Sequence, residues 1–304
     1  MKKLFIPAML LAGLVIAGCS TQEPEVSIPE DPDTGGMNVN PDWDKDTITI
    51  SFTRAMETHI EPFDDSTNAR TRGDISSSAN RLDVWIIQGT DTSVVHQTSE
   101  DANFGTVSFS VNKTKEYTMK AVAHKCSTAA EMKGGVVSFT EGEIKHTLYA
   151  MHKFKPDTIS SQVSVDMTRI VGMFRFAVTD SIKSKVKTMR FAVKNSPQKF
   201  NTADSTGIAK ADRNGDFANF SRATGGSATF TVYVMPDDLK AQHKYDITVS
   251  ALDANGTAIE SREFKDVPIR ANYKTQYTGQ FFVTKGAGFK FSIGDWNEYD
   301  PVNF

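Results

Sequence analysis

The chain contains few cysteines and none of the common sequence patterns of enzymes. Only two of its 304 residues are cysteine, Cys19 and Cys126. If Cys19 carries lipid, Cys126 has no partner for an internal disulfide. There is no G-x-S-x-G elbow, P-loop, H-E-x-x-H pair or Rossmann glycine pattern. We therefore expect a non-enzymatic protein with no cofactor, whose fold rests on its apolar core.

Charge of one sign, long apolar runs and helical periodicity are also scarce. The 34 basic and 37 acidic residues give a net charge of −3, which provides no basic surface for nucleic acid. After residue 19 no stretch approaches 18 consecutive apolar residues, so no second membrane-spanning segment is expected. No long stretch has a convincing helical period.

The N-terminus has the form of a bacterial lipoprotein signal. Lys2 and Lys3 precede the apolar run LFIPAMLLAGLVIA, and small residues lead into Cys19. We predict a signal peptide over residues 1–18, with acyl chains such as palmitate on Cys19; the alternative is a plain secretory signal. Residues 19–46 are acidic and proline-containing, which predicts a disordered tether. The expected location is the cell surface, at the outer membrane.

Beyond residue 46 the dominant pattern is a two-residue alternation. TITISF places Ile48, Ile50 and Phe52 on one face, and RLDVWII, TVSFSV and EYTMKAVA alternate in the same way. An Asn-Gly pair at 255–256 predicts a hairpin turn. These features predict an all-β fold of two tandem antiparallel β-sandwich domains, at residues 47–155 and 156–304.

Several polar clusters have both a functional and a structural interpretation, and the structural one is favoured. His124 and Cys126 lack further residues at metal-ligand spacing, so no metal site is predicted. DRNGD at 212–216 begins like a calcium loop but has Phe217 where glycine is required, so we predict a turn. The RGD tripeptide at 72–74 is short enough to arise by chance. Trp85 lies in an apolar run and is predicted to be in the core.

Three stretches resemble the FimB/Mfa2-type fimbrillin family of Bacteroidales. They are VDMTRIVGMFRFAVTD (165–180), TFTVYVMP (229–236) and VPIRANYKTQYTGQFF (267–282). The resemblance covers most of residues 47–304 and rests on order and spacing more than on identity. It implies two transthyretin-like domains and a role as anchor, stalk or tip subunit of a type V fimbria, with other fimbrial subunits as partners.

The resemblance also implies a way of assembling. Stalk subunits of that family are cut after a basic residue in the loop that follows their first strand, which here points to Arg70 or Arg72. The cut would release Cys19 together with the strand that carries Ile48, Ile50 and Phe52, and a neighbour's strand would fill the groove. An anchor subunit escapes the cut and keeps its lipid. The sequence is compatible with both outcomes.

The C-terminal stretch FKFSIGDW has two interpretations as well. Phe289, Phe291 and Ile293 alternate, so this stretch is either a donor strand for another subunit or the last strand of its own sheet.

An alternative function is a surface glycan-binding lipoprotein of a polysaccharide uptake system. That function needs several exposed aromatic rings in one plane, and the chain has only three tryptophans, Trp43, Trp85 and Trp296. The fimbrial interpretation is therefore preferred, with a host surface protein or glycan as a further partner.

Overall fold

The computed structural model describes residues 45–54, 73–140, 143–159, 161–218, 220, 228–283 and 290–295, all within the unit Asp42–Phe304. The predicted lipid site Cys19, the arginines Arg70 and Arg72, and Phe289 lie outside the described residues.

The described part of the chain is all-β, as predicted. It includes the short 3₁₀ turns Ile75–Ser77 and Pro156–Thr158. Within the described ranges, no helix is both long and apolar enough to cross a membrane.

Ten strands form the first half of the fold. They are β1 (Lys45–Arg54), β2 (Gly73–Asp74), β3 (Arg81–Gln88), β4 (Asp91–Thr98), β5 (Thr106–Asn112), β6 (Tyr117–His124), β7 (Glu131–Lys133), β8 (Val136–Ser138), β9 (Thr147–Phe154) and β10 (Gln162–Arg169). Eight of them make one sheet in the order β2-β1-β10-β9-β6-β3-β4, with β5 also paired to β1. Strands β10 and β9 pair only at Thr168–Tyr149 and Arg169–Leu148. Because strands on both sides of this short link bury side chains in one aliphatic cluster, the sheet folds over on itself there.

Eight more strands follow. They are β11 (Gly172–Val178), β12 (Thr188–Asn201), β13 (Thr206–Phe217), β14 (Ala228–Val234), β15 (His243–Leu252), β16 (Ala258–Ile269), β17 (Tyr273–Gly279) and β18 (Lys290–Asp295). One sheet has the order β14-β11-β17-β18, and the other has the order β16-β15-β12-β8-β7 with β13 beside β12. A phenylalanine-rich cluster fills the space between them.

The β7–β8 hairpin belongs by sequence to the first half but joins a sheet of the second half. Val137 of β8 pairs with Phe200 of β12, and both are fully buried in a third cluster. The strand directly after the predicted domain boundary, β10, pairs with β1 and β9. The division into domains at 47–155 and 156–304 stays a prediction.

Local turn chemistry follows the sequence in one place and departs from it in another. The predicted Asn-Gly hairpin is confirmed between β15 and β16, with Gly256 at a φ of +77°. The predicted turn at 212–216 is wrong, because these residues lie in β13, where Arg213 to Asp216 pair with β12 and Asp212 lies at a bulge. Asp216 forms a bidentate ion pair with Arg190 there, so its charge is satisfied on an exposed strand.

Candidate functional site: the first strand and its groove

Strand β1 lies in the interior of its sheet, with a hydrogen-bonded neighbour on each side. Residues Thr49 to Arg54 pair in parallel with β10, and residues Lys45 to Ser51 pair antiparallel with β5. Further along, Arg54 and Thr53 pair with the two residues of β2. An interior position for the chain's first described strand means that its removal would leave unpaired backbone groups on both β5 and β10.

The inner face of β1 is apolar and fully packed. Ile48, Ile50 and Phe52 are 2%, 0% and 3% exposed, and all three belong to the aliphatic cluster. The two-residue alternation correctly predicted that they share a buried face. Without β1, buried side chains on the strands beside it, among them Val107 of β5 and Met167 of β10, would lose part of their cover.

The outer face of β1 carries hydroxyl groups. The Thr49 and Ser108 hydroxyls lie 2.9 Å apart, and those of Ser51 and Thr106 lie 3.4 Å apart. Because these polar contacts face outward and the apolar side chains face inward, a one-residue shift of β1 would invert both faces. The register of any strand in this position is therefore strongly specified.

The described chain resumes at Gly73, directly after Arg72. Gly73 and Asp74 form β2, and Ile75 enters the core with no exposed surface. Gly105, at a φ of +90°, lies beneath Ile75, and a Cβ there would lie 3.3 Å from the Ile75 Cγ1 atom. The residues that follow the two arginines are thus held both by β1, which pairs with β2, and by the contact between Ile75 and Gly105.

At the other end of the chain, β18 is an edge strand. It pairs antiparallel with β17, with Phe291 opposite Tyr277 and Ile293 opposite Thr275. Its other edge has no partner strand within the described residues. Self-pairing and donation to another subunit both remain open for this segment.

The turn before β18 is held at two points. The Asp180 carboxylate accepts hydrogen bonds from the backbone N–H groups of Phe281 and Phe282, at 2.8 and 2.6 Å. The Arg262 guanidinium donates to the carbonyls of Phe281 and Val283, at 2.8 and 2.9 Å. The chain is therefore fixed as far as Val283, whatever the position of β18.

A buried polar cluster, which sequence reasoning missed, links the halves of the fold. Arg169, 6% exposed at the end of β10, donates from Nε to His146 Nε2 at 2.7 Å. From Nη1 it donates to Asn272 Oδ1 at 2.6 Å, and the His146 ring stacks on Tyr233. Position 172, shortly after Arg169, requires glycine, because a Cβ atom there would lie 2.6 Å from the Arg270 carbonyl oxygen. Arg169 and Asn272 fall in two of the stretches that resemble the fimbrillin family, but local sequence did not reveal their contact.

A second cluster of this kind explains the His124–Cys126 pair. Asp83, 1% exposed, accepts hydrogen bonds from His124 Nε2 at 2.7 Å, His96 Nδ1 at 2.6 Å and the Ala130 N–H at 2.7 Å. The Cys126 N–H donates to His124 Nδ1 at 3.1 Å. Both nitrogens of His124 are therefore occupied, and neither has a lone pair left for a metal. Within the described ranges, no group of three or more potential metal-binding side chains occurs.

The cysteine thiol itself is unreactive. Burial, and after it the charge of Glu143, raises the pKa of Cys126 to about 12, and the thiol proton is directed at the Glu143 carbonyl. A thiol that stays protonated at neutral pH is a poor nucleophile. Trp85 is buried, as predicted, and Trp43 and Trp296 lie outside the described residues.

Comparisons with known proteins give one family and several similar folds. No curated protein matches the sequence. Among solved structures, a putative adhesin from Bacteroides thetaiotaomicron has 11% identity and a TM-score of 0.49, over 82% of this chain and 96% of its own. The fimbrial anchor protein Mfa2 from Porphyromonas gingivalis has 12% identity and a TM-score of 0.41, over 82% and 97%. The tip fimbrial protein Mfa3 from the same organism, truncated at its C-terminus, has 10% identity and a TM-score of 0.42, over 83% and 100%.

At these identities and TM-scores, none of those descriptions is transferred to this chain. The family model is more decisive, because it matches residues 83–301, well over half of the sequence. The chain belongs to the family of unknown function DUF6562.

Proposed function

We propose that the chain is a structural or adhesive subunit of a fimbria on the outer membrane surface, and that β1 is an exchangeable strand. The observation that carries the proposal is the placement of β1 between β5 and β10 with three buried apolar side chains. The first described strand is also followed, in sequence, by two arginines that precede the start of the next described segment.

A cut after Arg70 or Arg72 would separate β1 from the rest of the chain. Ile48, Ile50 and Phe52 together contribute about 5–9 kcal/mol, at ~1.5–3 kcal/mol for each buried side chain. That is comparable to the whole stability of a typical domain, ~5–15 kcal/mol. A cut chain that lost β1 would therefore persist only with a replacement strand, so cleavage and polymerisation would be coupled.

The groove specifies what the replacement strand must be. It must run parallel to β10 and antiparallel to β5, with apolar side chains at three alternate positions and small or polar ones between them. The C-terminal segment FKFSI at 289–293 meets this pattern when placed over ITISF at 48–52, and it has Ser292 where β1 has Ser51. A second copy of this chain is therefore a suitable donor, provided that its β18 leaves β17.

An intact chain would play a different part in the same structure. With Cys19 lipidated and the segment around Arg70 uncut, β1 keeps its place and the groove is closed. The subunit would then accept no donor strand and would hold the fimbria at the membrane. Either form would contact other subunits, and a tip position would add contact with a host surface protein or glycan.

The mature N-terminus of protein taken from the native cell surface tests the two forms. Mass spectrometry that finds a start at Thr71 or Gly73, without lipid, supports a cleaved stalk or tip subunit. An acylated Cys19 on an uncut chain supports an anchor. A soluble chain that begins elsewhere, with neither lipid nor a cut at these arginines, would contradict the proposal.

Substitution of both arginines sharpens the result. In a cleaved subunit, the double variant Arg70→Ala, Arg72→Ala should remain a lipidated monomer and be lost from isolated fimbriae. A matched control is Arg81→Ala, in the described fold, which leaves the cleavage segment unchanged.

A further inference from the structure

Strand β4 forms one end of the first sheet, and its outer edge has no partner strand within the described residues. All eight of its residues pair in unbroken register with β3. The strand contains no proline, no lysine and no bulge, which are features that protect an exposed edge from pairing with another chain. The edge can therefore accept a strand from a second molecule.

The turn between β3 and β4 determines which backbone groups of β4 point outward. Gly89 and Thr90 form a two-residue turn, so the pair that closes it, Gln88 and Asp91, is a hydrogen-bonded pair. Hydrogen-bonded and non-hydrogen-bonded pairs alternate along an antiparallel ladder. The residues that direct their N–H and C=O groups away from β3 are therefore Thr92, Val94, His96 and Thr98.

The outward groups of Thr98 already have partners within the chain. Its N–H donates to the Asp101 carboxylate at 2.7 Å, and its carbonyl accepts from the Asp101 N–H at 3.0 Å. Thr92, Val94 and His96 are all exposed, and their outward backbone groups have no hydrogen-bond partner among the described residues. The free part of the edge thus consists of three alternate residues centred on Val94.

The next strand along the chain, β5, shows how such an edge is closed. At its start, the Thr106 carbonyl accepts a hydrogen bond from the Gln97 side chain at 2.8 Å. At its end, the Asn112 N–H donates to the Tyr117 hydroxyl at 2.9 Å. No side chain of the described ranges reaches the backbone of the three outward residues of β4 in this way.

We propose that two copies of this chain pair through β4, antiparallel about a two-fold axis at Val94. Each Val94 lies opposite the other, and Thr92 of each copy lies opposite His96 of the second copy. Because the free residues are arranged symmetrically about Val94, the edge is complementary to itself, as a two-fold interface requires. The 46% exposed Val94 side chains meet at the centre of this contact.

The register follows from the groups that are free. A shift by two residues in one direction would use Thr98, whose groups Asp101 occupies, and a shift in the other direction would use Thr90, which lies in the turn. In the register centred on Val94, Asp91 lies opposite Gln97, so no like charges are opposed. The side chains of paired residues also lie on the same face, because each pair joins residues of equal alternation.

The contact is independent of the proposed exchange of β1. Strand β4 pairs with β3 and not with β1, β5 or β10. The test therefore uses the full, uncut chain in detergent, with micelles in large excess over protein so that two chains do not share a micelle by chance.

Disulfide formation between copies tests the register. In a hydrogen-bonded antiparallel pair the Cα atoms are about 5.5 Å apart, within the range of about 4.4–6.8 Å that a disulfide spans. Val94→Cys should therefore form a linked dimer under mild oxidation. Thr92→Cys should not link to itself, because the two positions lie about 13 Å apart along the strands. A mixture of Thr92→Cys and His96→Cys should link.

A charge at the axis tests the affinity. The unmodified chain should sediment as monomer and dimer in a ratio that depends on concentration. Val94→Lys places two ammonium groups opposite each other and should raise the dimer dissociation constant roughly tenfold, about 1.4 kcal/mol. Thr229→Lys, which adds the same charge at an exposed position of β14, should leave the constant unchanged. Equal thermal unfolding of the two variants would show that the fold is retained.

Three results would overturn the proposal. They are no linked dimer of Val94→Cys, equal self-linking of Thr92→Cys, and a Val94→Lys dissociation constant equal to that of Thr229→Lys. If β4 binds a strand of a different protein instead, the first of these results is expected. A failure of strand exchange would leave all of these measurements unaffected, because none of them uses a cut chain.

Discussion

The two main cores of the molecule are built differently. The first consists mostly of isoleucine, valine, leucine, methionine and alanine. Its strand β1 precedes residues 55–72, and the other strands of this core follow them. The second is centred on phenylalanines that meet mainly edge to face or tilted, on strands from β11 onwards. Aliphatic cores accept other side chains of similar volume more easily than specific ring contacts can be rebuilt. The first core is therefore suited to the proposed replacement of a strand, and the second is suited to strands that stay in place.

The largest effect is expected in the second core. Phe191 contacts Phe176, Phe217 and Phe230 at ring-centroid distances of 5.9, 5.4 and 5.7 Å. Phe191→Ala should lower the free energy of unfolding by about 3–5 kcal/mol. Chemical denaturation measures this, with the partly exposed Phe282→Ala as a milder control. A loss below ~1 kcal/mol would mean that the ring cluster is not the permanent part of the fold.

The next effect lies in β1. Ile50→Ala should cost about 2–5 kcal/mol, because Ile50 is fully buried. Thr49→Ala, one residue away on the outer face, should cost less than ~1 kcal/mol. Denaturation of the uncut chain compares them. Equal losses would remove the basis for treating the inner face of β1 as what holds the strand in place.

Alkaline pH should weaken the third cluster, which joins the halves. Burial raises the pKa of Cys126 from 9.0 to about 12 and that of Tyr149 from 10.0 to about 12. Between these values the folded protein binds more protons than the unfolded chain, so stability is complete below pH 9 and falls as the pH rises towards 12. The loss should reach roughly 1–3 kcal/mol by about pH 11. Thermal unfolding of Cys126→Ala should show a shallower decline, and an equal decline would exclude the thiol as a cause.

The smallest effect concerns a surface contact outside both cores. The Arg190–Asp216 pair is 42% and 41% exposed, although it is bidentate and raises the pKa of Arg190. Asp216→Asn should change the free energy of unfolding by less than ~1 kcal/mol, and the difference should shrink in high salt. Denaturation at low and high salt checks this. A larger, salt-independent loss of unfolding free energy would mean that this pair between β12 and β13 stabilises the fold in a way that neither core explains.

Sequence patterns predicted the parts of this fold that depend on neighbouring residues. Alternation identified the buried face of β1, and the Asn-Gly pair located the β15–β16 turn. Both follow from rules that act over a few residues. The prediction of a turn at 212–216 was wrong because charged residues are typical of turns, although an exposed edge strand accommodates them equally well.

Contacts between distant residues were beyond the same reasoning. The parallel pairing of β1 with β10 and the addition of the β7–β8 hairpin to the second half leave no local trace. Asp83 lies within an apolar run, and its partners His96, His124 and Ala130 become neighbours only through the sheet.

Locking β1 in place tests strand exchange most directly. The Thr49 and Ser108 hydroxyls lie 2.9 Å apart across β1 and β5, so the double variant Thr49→Cys, Ser108→Cys places two thiols within bonding reach on the outer face. After cleavage by an arginine-specific protease, the account predicts that the oxidised variant stays monomeric and that reduction allows it to polymerise like the unmodified chain. The single-cysteine variants should polymerise under both conditions. Equal polymerisation of the oxidised double variant would contradict the exchange of β1.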